Sequence, residues 1–299
     1  MTRYIGRFAP TPSGALHFGS LIAALGSYLD ARAHSGEWHL RIEDVDPPRV
    51  VAGSADSILR TLEAFGFEWD GPVVYQSRRG DAYAAAITQL LDTGLLYGCD
   101  CTRKQLKENP RVGVDGPVYP GTCRNRGLPL QGALRLRLHD QRIVFNDRLA
   151  GRVACNVASE CGDFVVRRAD GVYTYQLAVT VDDAELGVSH IVRGADLLAS
   201  TPRQIVLQQA LHLPTPAYLH LPVALNAEGG KLSKQTLAAP LRDQDPLPAL
   251  VQAAEFLGLA IRHEIGSVAA FWQRARQLWQ LDKLPLLRAA VLASPPDNP

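Results

Sequence analysis

Two short segments, far apart in the chain, carry residues suited to binding a nucleotide triphosphate. The first is RFAPTPSGALHFGS at residues 7–20, and the second is KLSKQ at residues 231–235. His17 and Ser20 lie three residues apart at the start of a predicted helix, so they share one of its faces. The unpaired amides at the start of a helix that follows a strand favour an anion. The alternative interpretation of the first segment is an ordinary capped helix with a surface histidine.

The second segment supplies positive charge. Lys231 and Lys234, in an expected loop, can neutralise the charge that develops on phosphate groups during an in-line displacement. Ligands bind at the carboxyl ends of the strands in open α/β sheets. We therefore expect the two segments to meet at that edge of a sheet.

Three of the five cysteines suggest a metal site. An odd number of cysteines without an export signal argues against a disulfide framework. Cys99, Cys101 and Cys123 could supply three thiolates to a tetrahedral Zn²⁺, which then needs a fourth ligand. His139, Cys155 and Cys161 are open choices for it, and the other interpretation of these two cysteines is buried, reduced thiols. The metal lies outside the loops expected to hold a nucleotide, so we expect it to be structural.

The elements that must position these residues alternate between strands and helices. We predict strands at residues 4–9, 39–46, 171–183 and 189–194, and helices that begin near residues 18, 54, 80 and 201. Ser54 is the predicted N-cap of the helix in SADSILRTLEAFG, and Thr201 is the predicted N-cap of the helix in TPRQIVLQQALH. This order predicts a parallel sheet with crossover helices.

Composition bounds the class of protein. The 299 residues are 46% hydrophobic and 20% charged, with 31 Lys plus Arg against 30 Asp plus Glu. The apolar runs are shorter than the roughly 20 residues that span a membrane, and the N-terminus has no leader-like pattern. We therefore expect a cytoplasmic protein, a monomer, in which any nucleic acid meets a local basic patch.

The motifs resemble those of a known family. HFGS is similar to the HIGH signature and KLSKQ to the KMSKS signature of class I aminoacyl-tRNA synthetases. RFAPTPSG, RIEDVD and HIVRGADLLASTPRQ narrow the resemblance to the glutamyl and glutaminyl group. The resemblance implies ATP with Mg²⁺ as a substrate and an aminoacyl adenylate as the first product. It implies catalytic roles for His17, Ser20, Lys231 and Lys234, and ATP contacts from His17, Gly19, Ser20 and Lys234.

The same resemblance implies a pocket for L-glutamate. Its residues would be Arg7, Phe8, Ala9, Pro10, Thr11, Glu43, Tyr175 and Arg193. The charges agree, because glutamate has one ammonium group, which suits Glu43, and two carboxylates, which suit two arginines. A structural ion-pair network is the alternative interpretation of Glu43, and of the neighbouring Arg41. Asp182 and Asp183 could hold Mg²⁺ or brace the loops of the site. Because such pairs are often structural, they stay outside the catalytic set.

Two differences from the full-length synthetases indicate which branch of the family the chain resembles. Only 64 residues follow Gln235, which leaves little room to recognise an anticodon, and Ser20 stands where HIGH ends in histidine. Both are typical of truncated paralogues of glutamyl-tRNA synthetase. These activate glutamate without tRNA and transfer it to queuosine at the wobble position of tRNA(Asp). The resemblance to them also implies that Tyr119 is the fourth zinc ligand.

The fold class that follows is α/β, with a class I synthetase-type Rossmann fold. We expect the catalytic domain at residues 1–97 and 165–235, an inserted zinc-binding module at 98–164 and a small C-terminal helical domain at 236–299. An amphipathic stripe predicts buried side chains in that last domain: Val268, Phe271, Trp272, Ala275, Leu278 and Trp279. Two alternatives stay open, namely conventional charging of a tRNA 3′ end with glutamate or glutamine, and a non-catalytic tRNA- or amino-acid-binding paralogue.

Overall fold

The structure is a computed structural model that describes residues 3–107, 111–113, 116–225, 239–261, 265–285 and 289–291. The strands are β1 (Ile5–Phe8), β2 (Glu37–Ile42), β3 (Val74–Tyr75), β4 (Leu96–Cys99), β5 (Val112–Gly113), β6 (Gly116–Pro117), β7 (Ala133–Leu136), β8 (Arg142–Asp147), β9 (Gly151–Asn156), β10 (Val165–Arg167), β11 (His190–Gly194), β12 (Ala217–Leu221), β13 (Val223–Leu225) and β14 (Ala289–Val291). The helices are α1 (Phe18–Ala33), α2 (Ser54–Ala64), α3 (Gly80–Asp92), α4 (Arg103–Lys107), α5 (Val157–Glu160), α6 (Tyr175–Glu185), α7 (Thr201–Ala210), α8 (Pro246–Phe256) and α9 (Val268–Leu278). Among these helices, none is both long and apolar enough to span a bilayer.

Parallel strands form the centre of the molecule, as the sequence predicts. Strand β1 pairs with β2, and β2 with β3, all in parallel. On the other side β11 adjoins β1 through the Ser189 amide, which donates to the Ile5 carbonyl at 2.9 Å. Strand β11 pairs in parallel with β12, β12 with β8, and β8 antiparallel with β9. The carboxyl ends of β1, β2, β11 and β12 therefore meet at one edge.

Helix α1 lies in the first hydrophobic core and presents an apolar face to the sheet. Leu25, Tyr28 and Leu29 are fully buried with Trp38 and Leu40 of β2. Fully burying one such side chain stabilises the fold by about 1.5–3 kcal/mol. The buried hydrophobic residues of α1 therefore hold this helix against the sheet, and with it the loop that connects β1 to α1.

The C-terminal helices share this core. Phe271, Trp272 and Ala275 of α9 are buried, as their helical spacing predicts. The indole of Trp272 donates to the Phe65 carbonyl at 3.0 Å. The sequence predicts only helices in this part of the chain. The structure also contains strand β14, which pairs in parallel with β13.

Asp30 joins three distant parts of the chain. Its buried carboxylate accepts hydrogen bonds from the Tyr4 hydroxyl, from Arg148 Nη2 at 2.9 Å and from Trp279 Nε1 at 3.2 Å. Burial alone would raise the pKa of Asp30, but the hydrogen bond and charge of Arg148 lower it overall. The N-terminal strand, the turn after β8 and the end of α9 therefore hold one ionised group.

The segment rich in cysteine contains antiparallel strands. Strands β4, β7 and β10 form one small sheet, and β5 pairs with β6. Strands β8 and β9 fall inside the range predicted for the insert, yet β8 pairs with β12 of the central strands. The domain boundaries stay a prediction.

The strand predicted at residues 171–183 is wrong. Residues 175–183 lie within helix α6, at whose start the Ala178 amide donates to the Thr174 carbonyl at 3.0 Å. The run of Val and Thr favours a strand by local propensity, but tertiary packing overrides such preferences. Both predicted N-caps are also shifted by one residue, since Ser54 and Thr201 are the first residues of α2 and α7.

Candidate active site

A cavity of about 600 Å³ opens at the carboxyl ends of β1, β2, β11 and β12. It brings together every described residue that the sequence analysis assigned to glutamate or ATP: Arg7, Phe8, Ala9, Pro10, Thr11, His17, Gly19, Ser20, Glu43, Tyr175 and Arg193. Lys231 and Lys234 lie outside the described residues. Ser13, Arg49 and Asp196 also line the cavity. The structure thus places these side chains around one cavity. Their individual roles stay predictions.

Arg7 is held by a carboxylate on α6. The Arg7 Nε and Nη2 atoms donate to the two carboxylate oxygens of Asp183 at 3.0 and 3.3 Å. Asp183 also accepts from Arg41 Nη1 at 2.6 Å. Burial alone would raise the pKa of Asp183, yet the charges of Arg41 and Arg7 outweigh it and hold that pKa below its usual range. An ionised, fully partnered carboxylate therefore fixes the Arg7 guanidinium.

Arg41 lies behind the cavity and supports Glu43. Its Nη2 donates to Glu43 Oε1 at 3.2 Å, and its side chain is fully buried. The ion-pair network considered for Arg41 is therefore present. Burial raises the pKa of Glu43. The positive charges of Arg41 and Arg7 act in the opposite direction, but the pKa remains raised overall. The Glu43 amide donates to the Pro10 carbonyl at 2.9 Å, so the loop after β1 is tied to the end of β2.

Arg193 at the end of β11 has a different setting. Its Nε donates to His220 Nε2 at 3.1 Å, and its Nη2 donates to Thr201 Oγ1 at 2.9 Å. Its Nη1 lies 3.5 Å from the hydroxyl of Tyr175, the first residue of α6. Burial raises the pKa of Tyr175, so its hydroxyl stays protonated and can donate to a ligand.

His17 caps helix α1. Its Nδ1 accepts a hydrogen bond from the Ser20 amide at 3.3 Å. In a neutral ring the proton is then on Nε2. The loop before it is braced by Ser54, whose hydroxyl donates to the Gly14 carbonyl at 2.7 Å and accepts from the Gly14 amide at 2.9 Å. Gly14 has φ of 130°, a conformation that only glycine adopts without strain.

The cysteine cluster of Cys99, Cys101, Cys123 and Tyr119 has the spacing of a metal site. The three Sγ atoms lie within 4.8 Å of one another, and those of Cys101 and Cys123 are 3.4 Å apart. The Tyr119 hydroxyl is 3.5 Å from Cys99 Sγ and 3.6 Å from Cys101 Sγ. Thiolates around Zn²⁺, each about 2.3 Å from the ion, lie about 3.8 Å apart in a tetrahedron. The four ligand atoms therefore fit a tetrahedral ion.

The surroundings of the cluster favour a thiolate at Cys99, whereas burial raises the pKa of Cys101 to about 11. Arg135 Nε donates to Cys99 Sγ at 3.1 Å. Burial alone would raise the pKa of Cys99, but the hydrogen bonds with Arg135, Tyr119 and the Cys101 main chain, together with the charge of Arg135, lower it to about 7. Cys155 and Cys161 are buried with their Sγ atoms 3.6 Å apart, and among the described side chains they do not join the cluster.

Some residues around the cavity were not found from the sequence. Asp183 is part of a pair of acidic residues that the sequence marks, whereas no sequence motif marks Asp147 and His220, which support Arg193. Asp147 and His220 meet because β8 and β12 are neighbouring strands. The order of strands in a sheet cannot be deduced from the sequence pattern.

Comparison with known proteins agrees with the geometry. The family model described as tRNA synthetases class I (E and Q), catalytic domain, matches residues 5–264. A protein of Dechloromonas aromatica named Glutamyl-Q tRNA(Asp) synthetase is 55% identical over 289 residues, which are 94% of this chain and 96% of that protein. A protein of the same name from Neisseria meningitidis serogroup B is 52% identical over 287 residues, 94% of this chain and 97% of its own length.

A solved structure shows the same fold. The glutamate-tRNA synthetase of Elizabethkingia anophelis is 29% identical with a TM-score of 0.80, over 98% of this chain and 68% of that one. The predicted class I synthetase-type α/β fold is therefore confirmed. The chain belongs to the class I tRNA synthetases for glutamate and glutamine, and within that family to the glutamyl-Q tRNA(Asp) synthetases.

Proposed function

We propose that this protein is a ligase that joins glutamate to a tRNA nucleoside in two steps. In the first, a carboxylate oxygen of glutamate attacks the α-phosphorus of ATP and pyrophosphate leaves, with no tRNA required. In the second, a nucleophile of queuosine at the wobble position of tRNA(Asp) attacks the acyl carbon and AMP leaves. The chemistry needs no general base in the first step, because the attacking carboxylate is already ionised at neutral pH.

The observation that carries this proposal is the set of charges in one cavity. Glu43 offers a carboxylate for the ammonium group of glutamate, while Arg7 and Arg193 offer two guanidinium groups for its two carboxylates. Tyr175 adds a hydroxyl next to Arg193. Charge-assisted hydrogen bonds of this kind are stronger than neutral ones and define orientation. The cavity is complementary to a free dicarboxylic amino acid.

The start of α1 would hold ATP. Gly19 leaves the helix backbone open to a ligand, and the Nε2 proton assigned to His17 suits a phosphate oxygen. Ser20 lines the same end of the cavity. Lys231 and Lys234 would supply positive charge to the phosphates. Mg²⁺ would enter with ATP and neutralise part of the phosphate charge.

The acceptor is inferred from the relatives. Proteins that match nearly the whole chain are named Glutamyl-Q tRNA(Asp) synthetase, which supports transfer to queuosine in tRNA(Asp). We also propose that Cys99, Cys101, Tyr119 and Cys123 hold one structural Zn²⁺. The proposal also includes a zinc-bearing insert and a C-terminal helical domain. It further includes a monomeric state and a cytoplasmic location.

The first experiment measures exchange of labelled pyrophosphate into ATP without tRNA. We expect exchange that depends on glutamate, and its loss in Glu43→Gln, because the ammonium group then has no counter-charge. Glu63→Gln, on the exposed face of α2, is the matched control and should exchange normally. Absence of exchange in pure wild-type protein would favour the non-catalytic binding protein.

The likeness to a glutamate-tRNA synthetase favours one second candidate, which is charging of a tRNA 3′ end. The anticodon stem-loop of tRNA(Asp), made with and without queuosine, separates the two. We expect labelled glutamate on the stem-loop that carries queuosine and none on its partner. Labelling of full-length tRNA alone, at its 3′ end and regardless of queuosine, would establish the second candidate instead.

A further inference from the structure

The two arginines of the cavity are held by chemically different partners. Arg7 forms an ion pair with Asp183, so its charge is largely matched inside the protein. Arg193 forms no ion pair among the described residues. Its close partners are the uncharged Nε2 of His220 and the hydroxyl of Thr201. A buried guanidinium with neutral partners keeps its full charge for a ligand.

The partner of Arg193 is itself fixed by a carboxylate. His220 Nδ1 lies 2.6 Å from Asp147 Oδ2, and the two residues are 73 positions apart. Asp147 Oδ1 accepts from the amides of Leu149 and Ala150 at 3.0 and 2.7 Å. Because Asp147 can only accept, His220 must carry its proton on Nδ1, and Nε2 keeps the lone pair that faces Arg193.

Burial and charge around His220 support this state. Asp147, Arg193 and His220 are between 2% and 4% exposed. Burial lowers the pKa of His220 and the charge of Arg193 lowers it further, against the opposing effects of Asp147 and Asp196. The ring of Tyr218 is stacked with that of His220, at 6.1 Å between centroids. His220 is therefore neutral at pH 7.

We propose that Asp147 and His220 are positioning residues for Arg193, and that they set the affinity for glutamate by fixing one tautomer of the imidazole. Only the tautomer with its lone pair on Nε2 can accept the Nε proton of Arg193. This inference rests on the proposed function of the cavity. It adds that the substrate contact of Arg193 depends on a carboxylate on β8 that does not line the cavity.

The decisive variant is Asp147→Asn, which changes the shape of the site very little. The amide oxygen can still accept from the amides of Leu149 and Ala150. The amide NH₂ group then takes the place of Oδ2, which accepts from the main-chain amide of His220 at 3.1 Å and faces Nδ1 of the same residue at 2.6 Å. It favours the opposite tautomer, which turns an N–H towards the N–H of Arg193. We expect the KM for glutamate to rise on the order of 10- to 100-fold. The kcat and the KM for ATP should change less than about threefold, since a contact equal in the ground and transition states affects KM alone.

A second substitution tests the mechanism. In His220→Gln, the side-chain oxygen can accept from Arg193 whatever residue is at position 147. We expect His220→Gln to have a KM for glutamate within about fivefold of wild type, and to remove most of the defect when combined with Asp147→Asn. Asp81→Asn, at an exposed position of α3, controls for the loss of one negative charge.

The measurements are pyrophosphate exchange and calorimetric titration of glutamate, with thermal unfolding of each variant. A wild-type KM in Asp147→Asn would overturn the inference, as would equal loss of kcat in all variants or strictly additive effects in the double variant. If wild-type protein neither binds glutamate nor catalyses exchange, the proposed function fails and this inference fails with it. Failure of the inference alone requires an active wild-type protein.

Discussion

The cavity and the cysteine cluster both remove polar groups from water, but they satisfy these groups differently. In the cavity, Asp183 is shared by Arg7 and Arg41, so opposite charges within the chain partner one another. In the cluster, three thiols and the Tyr119 hydroxyl face one another, and all of them are potential ligands of a cation. The first site is organised by opposite charges of the chain itself, whereas the second has a set of ligand atoms that could hold a cation.

The largest effect should come from removing the shared carboxylate of the cavity. Asp183→Ala leaves two buried guanidinium groups without their partner, which typically costs about 3–5 kcal/mol of unfolding free energy. We expect this loss in urea denaturation, together with loss of glutamate-dependent exchange. Asp170→Ala, at an exposed turn, is the control. A loss below about 1 kcal/mol would mean that the cavity is not organised by its internal charges.

Metal removal should have a smaller and more local effect. A strong zinc chelator, or Cys101→Ser, is expected to lower the unfolding free energy by about 1–3 kcal/mol. Amide exchange should accelerate in β4 and β7 and stay unchanged in β1 and β2. Glutamate binding should persist, because the cavity does not use the cluster. Loss of glutamate binding on chelation would contradict the separation of the two sites.

Acid should also distinguish the sites. The folded pKa of Asp183 is lowered, so its contribution to stability is present at neutral pH and is lost only as pH falls through that lowered value. Metal-bound thiolates compete with protons at much higher pH. During a titration from pH 7 downwards we expect metal release, detected by a zinc-sensitive dye, before the change in near-UV circular dichroism. The reverse order would contradict the comparison.

The smallest effect should come from Tyr175→Phe. The hydroxyl lies 3.5 Å from Arg193 Nη1, which is the outer limit of a hydrogen bond. We expect the KM for glutamate to rise about two- to tenfold, with no change in thermal stability. Tyr173→Phe, two residues earlier and outside the cavity lining, is the matched control. A loss of several hundredfold would instead make Tyr175 a principal determinant of the pocket.

Much of this architecture could be predicted from the sequence because its signals are local. The motif at residues 7–20, the order of strands and helices and the spacing of the cysteines each depend on residues close together in the chain. Helix α6 could not be predicted, because its Val and Thr residues favour a strand until tertiary packing is considered. The Asp147–His220 pair depends on which strands are neighbours. Nothing within either segment encodes that.

The hydrogen bonds of Asp30 affect the order in which the protein can fold during synthesis. Tyr4 and Asp30 are made first, Arg148 more than 100 residues later and Trp279 last of the four. The buried carboxylate therefore lacks its last partner while most of the polypeptide has already left the ribosome. Domains generally fold from the N-terminus as they emerge. Here the core around Asp30 can be completed only after Trp279 has been translated.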